Sequence, residues 1–291
     1  MRKILAIAMA LAVSGFAAAQ QPAGGRGGAP DVVAPARQLK PGFFLITGAG
    51  ANTAVRVTSE GLILIDSKLP GTDTSDNYAA LIAQLKTISP LPVKYLINTH
   101  HHPDHVGNNG KFADAGARVV GLEALKSNMA ADPRTTQIAG RPTETFAKDY
   151  VLKFGGVQVD AHHLGNAHTN DDTVVYFPDL KIAMISDTVT DTNPVVDWAN
   201  GGSVLGWKSS LEAILKLDFE TAIPGRGEPR PKDAVAAFKT KIDAVIDRGN
   251  AAIKAGATKE TFMAQVRIDD LGWTEQKPFF DGLFDELIKL K

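Results

Sequence analysis

The chain contains no cysteine. That excludes disulfides, thiolate metal ligands, a cysteine nucleophile and a lipid-modified N-terminal cysteine. Any metal must be held by His, Asp, Glu or water. An excess of one charge is also lacking: 31 Lys and Arg stand against 32 Asp and Glu, for a formal charge of −1. No basic stripe interleaved with aromatics occurs, so nucleic acid is not an expected partner. Long apolar runs are missing except at the N-terminus. There Arg2 and Lys3 precede the apolar stretch Ile4 to Phe16, and Ala17-Ala18-Ala19 offers a small-residue cleavage site before Gln20. The stretch is too short to span a bilayer comfortably. Residues 1–19 therefore read as a signal peptide. The expectation is a periplasmic or secreted protein with no membrane span after cleavage. Residues 20–37, rich in Gly, Ala and Pro, read as a flexible leader.

About 270 residues remain, enough for one large α/β domain or two small ones. Short β-like runs are expected at Phe43 to Thr47, Ala54 to Thr58, Leu62 to Ile65, Val93 to Asn98 and Ala117 to Val120. Helices are expected at Thr74 to Leu85 and Leu122 to Met129, with a polar surface loop from Ala131 to Thr145 that could cover a pocket. Tyr150 to Phe154 and Val157 to His162 form a hairpin around Gly155-Gly156. Asp172 to Phe177 and Lys181 to Ile185 form another around Pro178-Asp179. Val204 to Leu217 reads as a helix, Thr221 to Ile223 as a short strand. Two amphipathic helices close the chain, one through Phe238, Ile242, Val245, Ile246 and Ile253 with Gly256 as its cap, the other through Phe279, Leu283 and Leu287. Strands followed by helices occur twice, which predicts two packed sheets with helices outside.

The seven histidines are not scattered. Four lie in Thr99-His100-His101-His102-Pro103-Asp104-His105, directly after the Val93 to Asn98 strand, and three follow at His162, His163 and His168. Zinc-type metals prefer imidazole nitrogen with an occasional carboxylate. In an extended segment His100 and His102 point the same way, and Pro103 favours that conformation at His102. Asp104 and His105 can reach a second position nearby, with a helix beginning at Val106. Taken alone, Asp104 reads as a helix N-cap, and the joint pattern makes it a ligand. His101 points away and has a structural role. A third ligand for the first metal comes best from His168 in the turn Gly165 to Thr169, since His162 and His163 alternate on a strand and can simply decorate its surface. Asp187, at the end of the apolar run Ile182 to Ser186, is either a bridging ligand or a turn residue. Asp66 ends Leu62 to Ile65 in the same way and orients ligands by hydrogen bonds.

On these residues the chain resembles the metallo-β-lactamase fold superfamily. His100-x-His102-x-Asp104-His105 matches the family signature. Gly165 to Thr169 resembles the segment carrying its third histidine, Ile185 to Thr188 the segment carrying its bridging aspartate, and Asp66 its strand-end aspartate. The resemblance covers 38–291. It implies a four-layer αβ/βα sandwich, with the metal site at one edge between the sheets, and metal-dependent hydrolysis of a small-molecule substrate.

One position departs. The family usually carries its last histidine in Pro-Gly-His-Gly, and here the segment is Pro224-Gly225-Arg226-Gly227. A guanidinium has no acceptor and is not a normal ligand. Arg226 either stands in for the second metal by pairing with Asp104 or Asp187, or binds a substrate carboxylate, or marks a drifted loop. The expectation is an exported hydrolase with one tightly bound zinc on His100, His102 and His168 and a weak or absent second ion on Asp104, His105 and Asp187. Zinc-bound hydroxide would attack a β-lactam, lactone, ester or thioester, with Asp104 and Arg226 in catalytic roles. Alternatives are a mononuclear iron persulfide-dioxygenase-like enzyme using His100, His168 and Asp187, and a non-catalytic exported binding protein. Trp198 and Asn200 to Ser203 are candidate pocket walls, while Trp207 falls at core spacing.

Overall fold

The computed structural model describes residues 32–289. The signal peptide and residues 20–31 of the leader lie outside them. In β4 (Leu62–Ile65), β5 (Val93–Ile97) and β6 (Arg118–Leu122), successive apolar side chains face opposite ways, as the pleat requires. Ile63, Ile65, Ile97 and Val120 enter one core, while Leu62, Leu64, Leu96 and Val119 enter another. The second half repeats the pattern in β10 (Val174–Phe177), β11 (Ile182–Ser186) and β12 (Thr221–Pro224). Val175, Phe177, Met184 and Ile223 join the core shared between the sheets, and Val174, Ala183, Ile185 and Ala222 turn to the helices. Strands buried on both faces have no polar side, which explains their near-continuous apolar sequences.

Three cores between layers make the four-layer αβ/βα sandwich. Outside the first sheet lie α1 (Asn77–Ile88) and α3 (Asn109–Asp114), through Leu81, Leu85 and Phe112, while α4 (Glu123–Ala131) sends Leu125 and Met129 into the core between the sheets. Outside the second lie α5 (Val204–Ile214), α6 (Lys232–Lys254), α7 (Lys259–Gln265) and α8 (Lys277–Ile288). Phe43 and Phe177 meet edge to face across the sheets, with ring centroids 4.8 Å apart.

The first sheet has the order β1-β2-β3-β4-β5-β6-β7, with β1 (Arg37–Lys40), β2 (Phe43–Ile46), β3 (Thr53–Val57) and β7 (Glu144–Phe146). The second has the order β13-β12-β11-β10-β9-β8, with β8 (Asp149–Phe154), β9 (Val157–His162) and β13 (Arg230–Pro231). The pairs β4–β5 and β11–β12 are both parallel. Parallel neighbours end on the same edge. Each pair therefore sends two loops to one rim: Asp66 and the histidine motif from one sheet, Asp187 and the Arg226 segment from the other.

Several boundaries differ from the sequence expectation. The helix expected to begin at Val106 instead begins at Pro103 and ends there: α2 is Pro103–Val106, with extended His102 (φ −62°, ψ 149°) at its N-cap. Proline at the first helical position has a preset φ and no N–H to satisfy. Asp104 thus sits inside the first turn rather than at the cap. α1 starts at Asn77, not Thr74, because the Asp76 side chain caps it at Ala79 N (3.0 Å). The loop expected from Ala131 to Thr145 contains the start of β7, which adds as a parallel edge strand to β6. β1 and α7 had no periodic apolar signal. Gly256, at φ +88°, follows the α6 C-cap.

Candidate metal centre

His100, His102 and His168 bring three ring nitrogens together. His102 Nδ1 lies 3.1 Å from His100 Nε2 and 2.9 Å from His168 Nε2. Their outer nitrogens explain the orientation. His102 Nε2 donates to Asp197 Oδ2 at 2.8 Å, and His168 Nδ1 donates to the Val195 carbonyl at 2.6 Å. With those protons placed by their acceptors, both facing nitrogens carry lone pairs. Lone pairs that close repel each other unless a cation or a proton sits between them. Burial lowers His102 to a pKa of about 4 and holds His100 well below the ordinary imidazole value. A proton is therefore disfavoured and a metal ion fits. Tetrahedral zinc with 2.0–2.1 Å bonds separates its nitrogen ligands by roughly 3.3 Å, a few tenths beyond the spacing here.

The other half of the rim is built differently. Asp66, at the end of β4, accepts from Thr99 N (2.8 Å), Thr99 Oγ1 (2.7 Å) and His105 Nδ1 (2.8 Å). Its backbone is left-handed (φ +62°), as is that of Ser186 (φ +50°) at the end of β11. Left-handed backbone costs a non-glycine residue about 1 kcal/mol or more, and Thr99 Oγ1 links the two strained ends, meeting Asp66 Oδ2 at 2.7 Å and Ser186 Oγ at 2.8 Å. His105 Nε2 is buried without a hydrogen bond, 3.4 Å from Asp104 Oδ2 and 3.7 Å from Asp187 Oδ1. Arg226 closes this half. Its Nη1 donates to Asp187 Oδ2 at 2.7 Å and its Nη2 to Asp104 Oδ2. Burial alone would raise both carboxyl pKa values, yet the adjoining His105 and Arg226 charges hold both below the ordinary range. Burial opposes charge on His105 as well, but Asp104 and Asp66 outweigh it and raise the imidazole.

Local backbone explains how Arg226 reaches so far. Asn52 holds the loop of the other sheet: its N–H donates to Gly225 O at 2.7 Å, and its Nδ2 donates to Pro224 O (2.9 Å) and Gly227 O (3.0 Å). Gly225 packs so closely on the Asp187 carboxylate that a Cβ would overlap it.

The structure brings together all six predicted metal residues, His100, His102, Asp104, His105, His168 and Asp187. His101 lies buried between Asp171 Oδ1 (2.9 Å) and Asp132 Oδ2 (3.2 Å). Burial disfavours its charge, but those two carboxylates raise its pKa overall. A grouping of His101, His102 and Asp197 also has close donor atoms, but both His101 nitrogens are already engaged, which makes it an ion-pair network. His162 pairs with Asp149 Oδ1 (2.7 Å) and His163 Nδ1 donates to Asp172 O (2.8 Å), so neither joins the cluster.

Residues that sequence reasoning missed surround the ligands. Asp197 orients His102. Arg134 links Asp197 to Asp132. Asn200, expected as a pocket wall, reaches both carboxylates through Nδ2 at 3.0 and 2.9 Å. Asp172 shapes the His168 turn by accepting from Ala167 N (3.1 Å), Thr169 N (3.0 Å) and Thr169 Oγ1 (2.7 Å). Burial raises its carboxyl to about 6. The 131–145 loop is thus pinned at its start to the site. Trp198, expected as a pocket wall, packs against Gly282 of α8, and Trp207 is core, its indole donating to Thr188 O at 2.7 Å. Paired acids such as Asp171-Asp172, close to His168, were the available signal.

A family model described as the metallo-β-lactamase superfamily matches residues 47–226. The metallo-β-lactamase type 2 of Bacillus cereus is 27% identical over 194 residues, 64% of this chain and 71% of the relative. A solved metallo-β-lactamase from Pontibacter korlensis superposes with a TM-score of 0.64 at 22% identity, covering 72% of this chain and 99% of that one. A stereoselective inverting sec-alkylsulfatase from Pseudomonas sp. superposes with a TM-score of 0.71 at 14% identity, covering 87% of this chain and 50% of that one. A family match over more than half of the sequence agrees with the sandwich and with the rim on which the histidines gather, and the chain belongs to the metallo-β-lactamase superfamily.

Proposed function

We propose that this protein is an exported hydrolase that uses one zinc ion to cleave a carbonyl substrate of the ester, lactone, thioester or β-lactam type. The observation that carries this reading is the convergence of ring nitrogens of His100, His102 and His168, with those of His102 and His168 left unprotonated by their outer partners. Those three residues would hold the ion. When bound, zinc supplies an acidified water and a Lewis acid for the carbonyl oxygen.

The remaining roles belong to the protein's own groups. Asp104 stays ionised beside His105 and Arg226. Its Oδ2 is committed to Arg226, which leaves Oδ1 to orient the attacking water and receive its proton. Arg226 is about half-exposed and uses two of its five N–H groups on Asp104 and Asp187. Its outer edge is available to a developing oxyanion. The arginine also supplies the positive charge that a second metal would bring, which favours a stoichiometry of one. Periplasmic or secreted placement rests on residues 1–19. Among the described residues, no helix is long and apolar enough to cross a membrane.

The iron alternative would use His100, His168 and Asp187. Asp187 Oδ2, the oxygen 3.7 Å from His168 Nε2, is the one Arg226 engages, so that set is disfavoured. Metal analysis of the dialysed protein, paired with a panel of lactams, lactones, esters, thioesters and alkyl sulfates, tests the proposal. One zinc per chain and turnover of a carbonyl substrate are expected. Two tightly held zincs, bound iron with oxygen uptake on a persulfide, or metal without any hydrolysis would each overturn it.

A further inference from the structure

Two of the three clustered histidines take their orientation from a single loop, residues 195–203. Val195 O receives the His168 Nδ1 proton, and Asp197 Oδ2 receives the His102 Nε2 proton. The same loop returns a backbone bond from Asp197 N to His168 O at 2.8 Å. The placement of this loop therefore decides where two ring nitrogens point.

The loop rests on α8, a helix beyond the 47–226 family match. Gly282 and Glu286 lie one turn apart, on one face of that helix. Gly282 makes room for the Trp198 indole: a Cβ there would lie 2.5 Å from Trp198 Cζ2, well inside van der Waals contact. Glu286 takes hold where the loop becomes α5. It accepts from Ser203 Oγ and from Val204 N at 2.9 Å. Its carboxylate thereby meets the N-terminal N–H groups and positive dipole end of α5. One anchor thus holds the residue next to Asp197, and the other holds the end of the loop.

We propose that α8 sets the orientation of the His102 and His168 rings, and through it the metal affinity, with Gly282, Trp198 and Glu286 as positioning residues. The affinity half rests on the three-histidine metal reading, and the ring half does not. Carboxylate partners of metal-bound histidines typically change affinity about 10–100-fold when lost. An anchor acting through such a partner falls in the lower part of that span.

The test uses the full mature chain. Zinc affinity is measured by competition with a chromophoric chelator, and the ring tautomers of the metal-free protein by 15N NMR. Gly282→Ala should weaken zinc about 10-fold or more and erode the Nε2–H tautomer of His102 and the Nδ1–H tautomer of His168. Because both substitutions act through the same indole, Gly282→Ala combined with Trp198→Ala should be no worse than Trp198→Ala alone. Should the glycine variant not fold, Glu286→Ala removes an anchor without adding bulk. It should weaken zinc about 10-fold, with Glu286→Gln restoring most of the loss. A merely structural helix would lower the melting temperature and leave tautomers and affinity unchanged, and that result overturns the proposal. Wild-type protein that binds no zinc would defeat the metal reading, and the tautomer response would still decide whether α8 orients the rings.

Discussion

The rim of the sandwich holds two half-sites built on the same plan and finished in different ways. In one, the β5 loop and the His168 turn bring three imidazole nitrogens together. In the other, Asp104, Asp187 and Asp66 surround a charged His105 and a guanidinium. The first half cannot balance itself, because its protons have been drawn outward to Asp197 and Val195. The second already carries two cations of its own against its carboxylates. An ion is thus worth far more to the first half than to the second, even though the motif supplies ligand-type residues to both.

The contrast breaks most directly at the first half. His168→Ala or His102→Ala should abolish tight metal binding, a loss of roughly 100-fold or more, since losing a ligand exceeds the 10–100-fold effect of losing its outer partner. Hydrolysis should fall with it. Metal content after dialysis and steady-state rates check both. Asp197→Ala should weaken zinc about 10–100-fold and leave the other ligands in place, as titration against a competing chelator would report.

Arg226 sharpens the second half. Arg226→His should raise metal content from one ion toward two in added zinc. An unchanged stoichiometry would mean that something other than the guanidinium keeps the second ion out. Arg226→Ala should cost about 1–3 kcal/mol in urea unfolding of the metal-free protein, below the value for fully buried pairs because the side chain is half-exposed. It should also change the acid limb. The folded Asp104 and Asp187 carboxyls sit below their unfolded value of 3.8. Their contribution is therefore present above about pH 4 and is lost as the pH falls further. Without Arg226 that loss should become shallower. The smallest effect is expected at His162, which pairs only with Asp149 near the surface. His162→Ala should leave metal content unchanged and shift stability within about 0.5 kcal/mol.

Much of this was legible in the sequence, for a local reason. Four of the six candidate rim ligands fall within His100 to His105, and their spacing on an extended segment before a proline is itself the geometry. The buried strands were legible because both faces are covered, so they read as continuous apolar runs. The outer partners were not. Asp197, Asp132 and Asp171 are aspartates in loops, where turn chemistry gives the same residue. Apart from the pairing of Asp171 with Asp172, only the folding of three separate loops around His101 and His102 distinguishes them. The sequence places this helix at Val106 because Asp104 resembles a cap, although proline at its first position is the better signal. β1, an edge strand with three of its four residues exposed, carries no apolar alternation to read.

Gly225 and Asn52 fix the path of the 224–227 segment without any contribution from the Arg226 side chain. Position 226 is therefore free to vary on a constant backbone. Codons for arginine and histidine can differ by a single base. A lineage could thus exchange a guanidinium for an imidazole in one mutational step, with no refolding of the loop. On this view the number of metal ions in such a sandwich is an easily reversible character, and Arg226→His recreates that step in one protein.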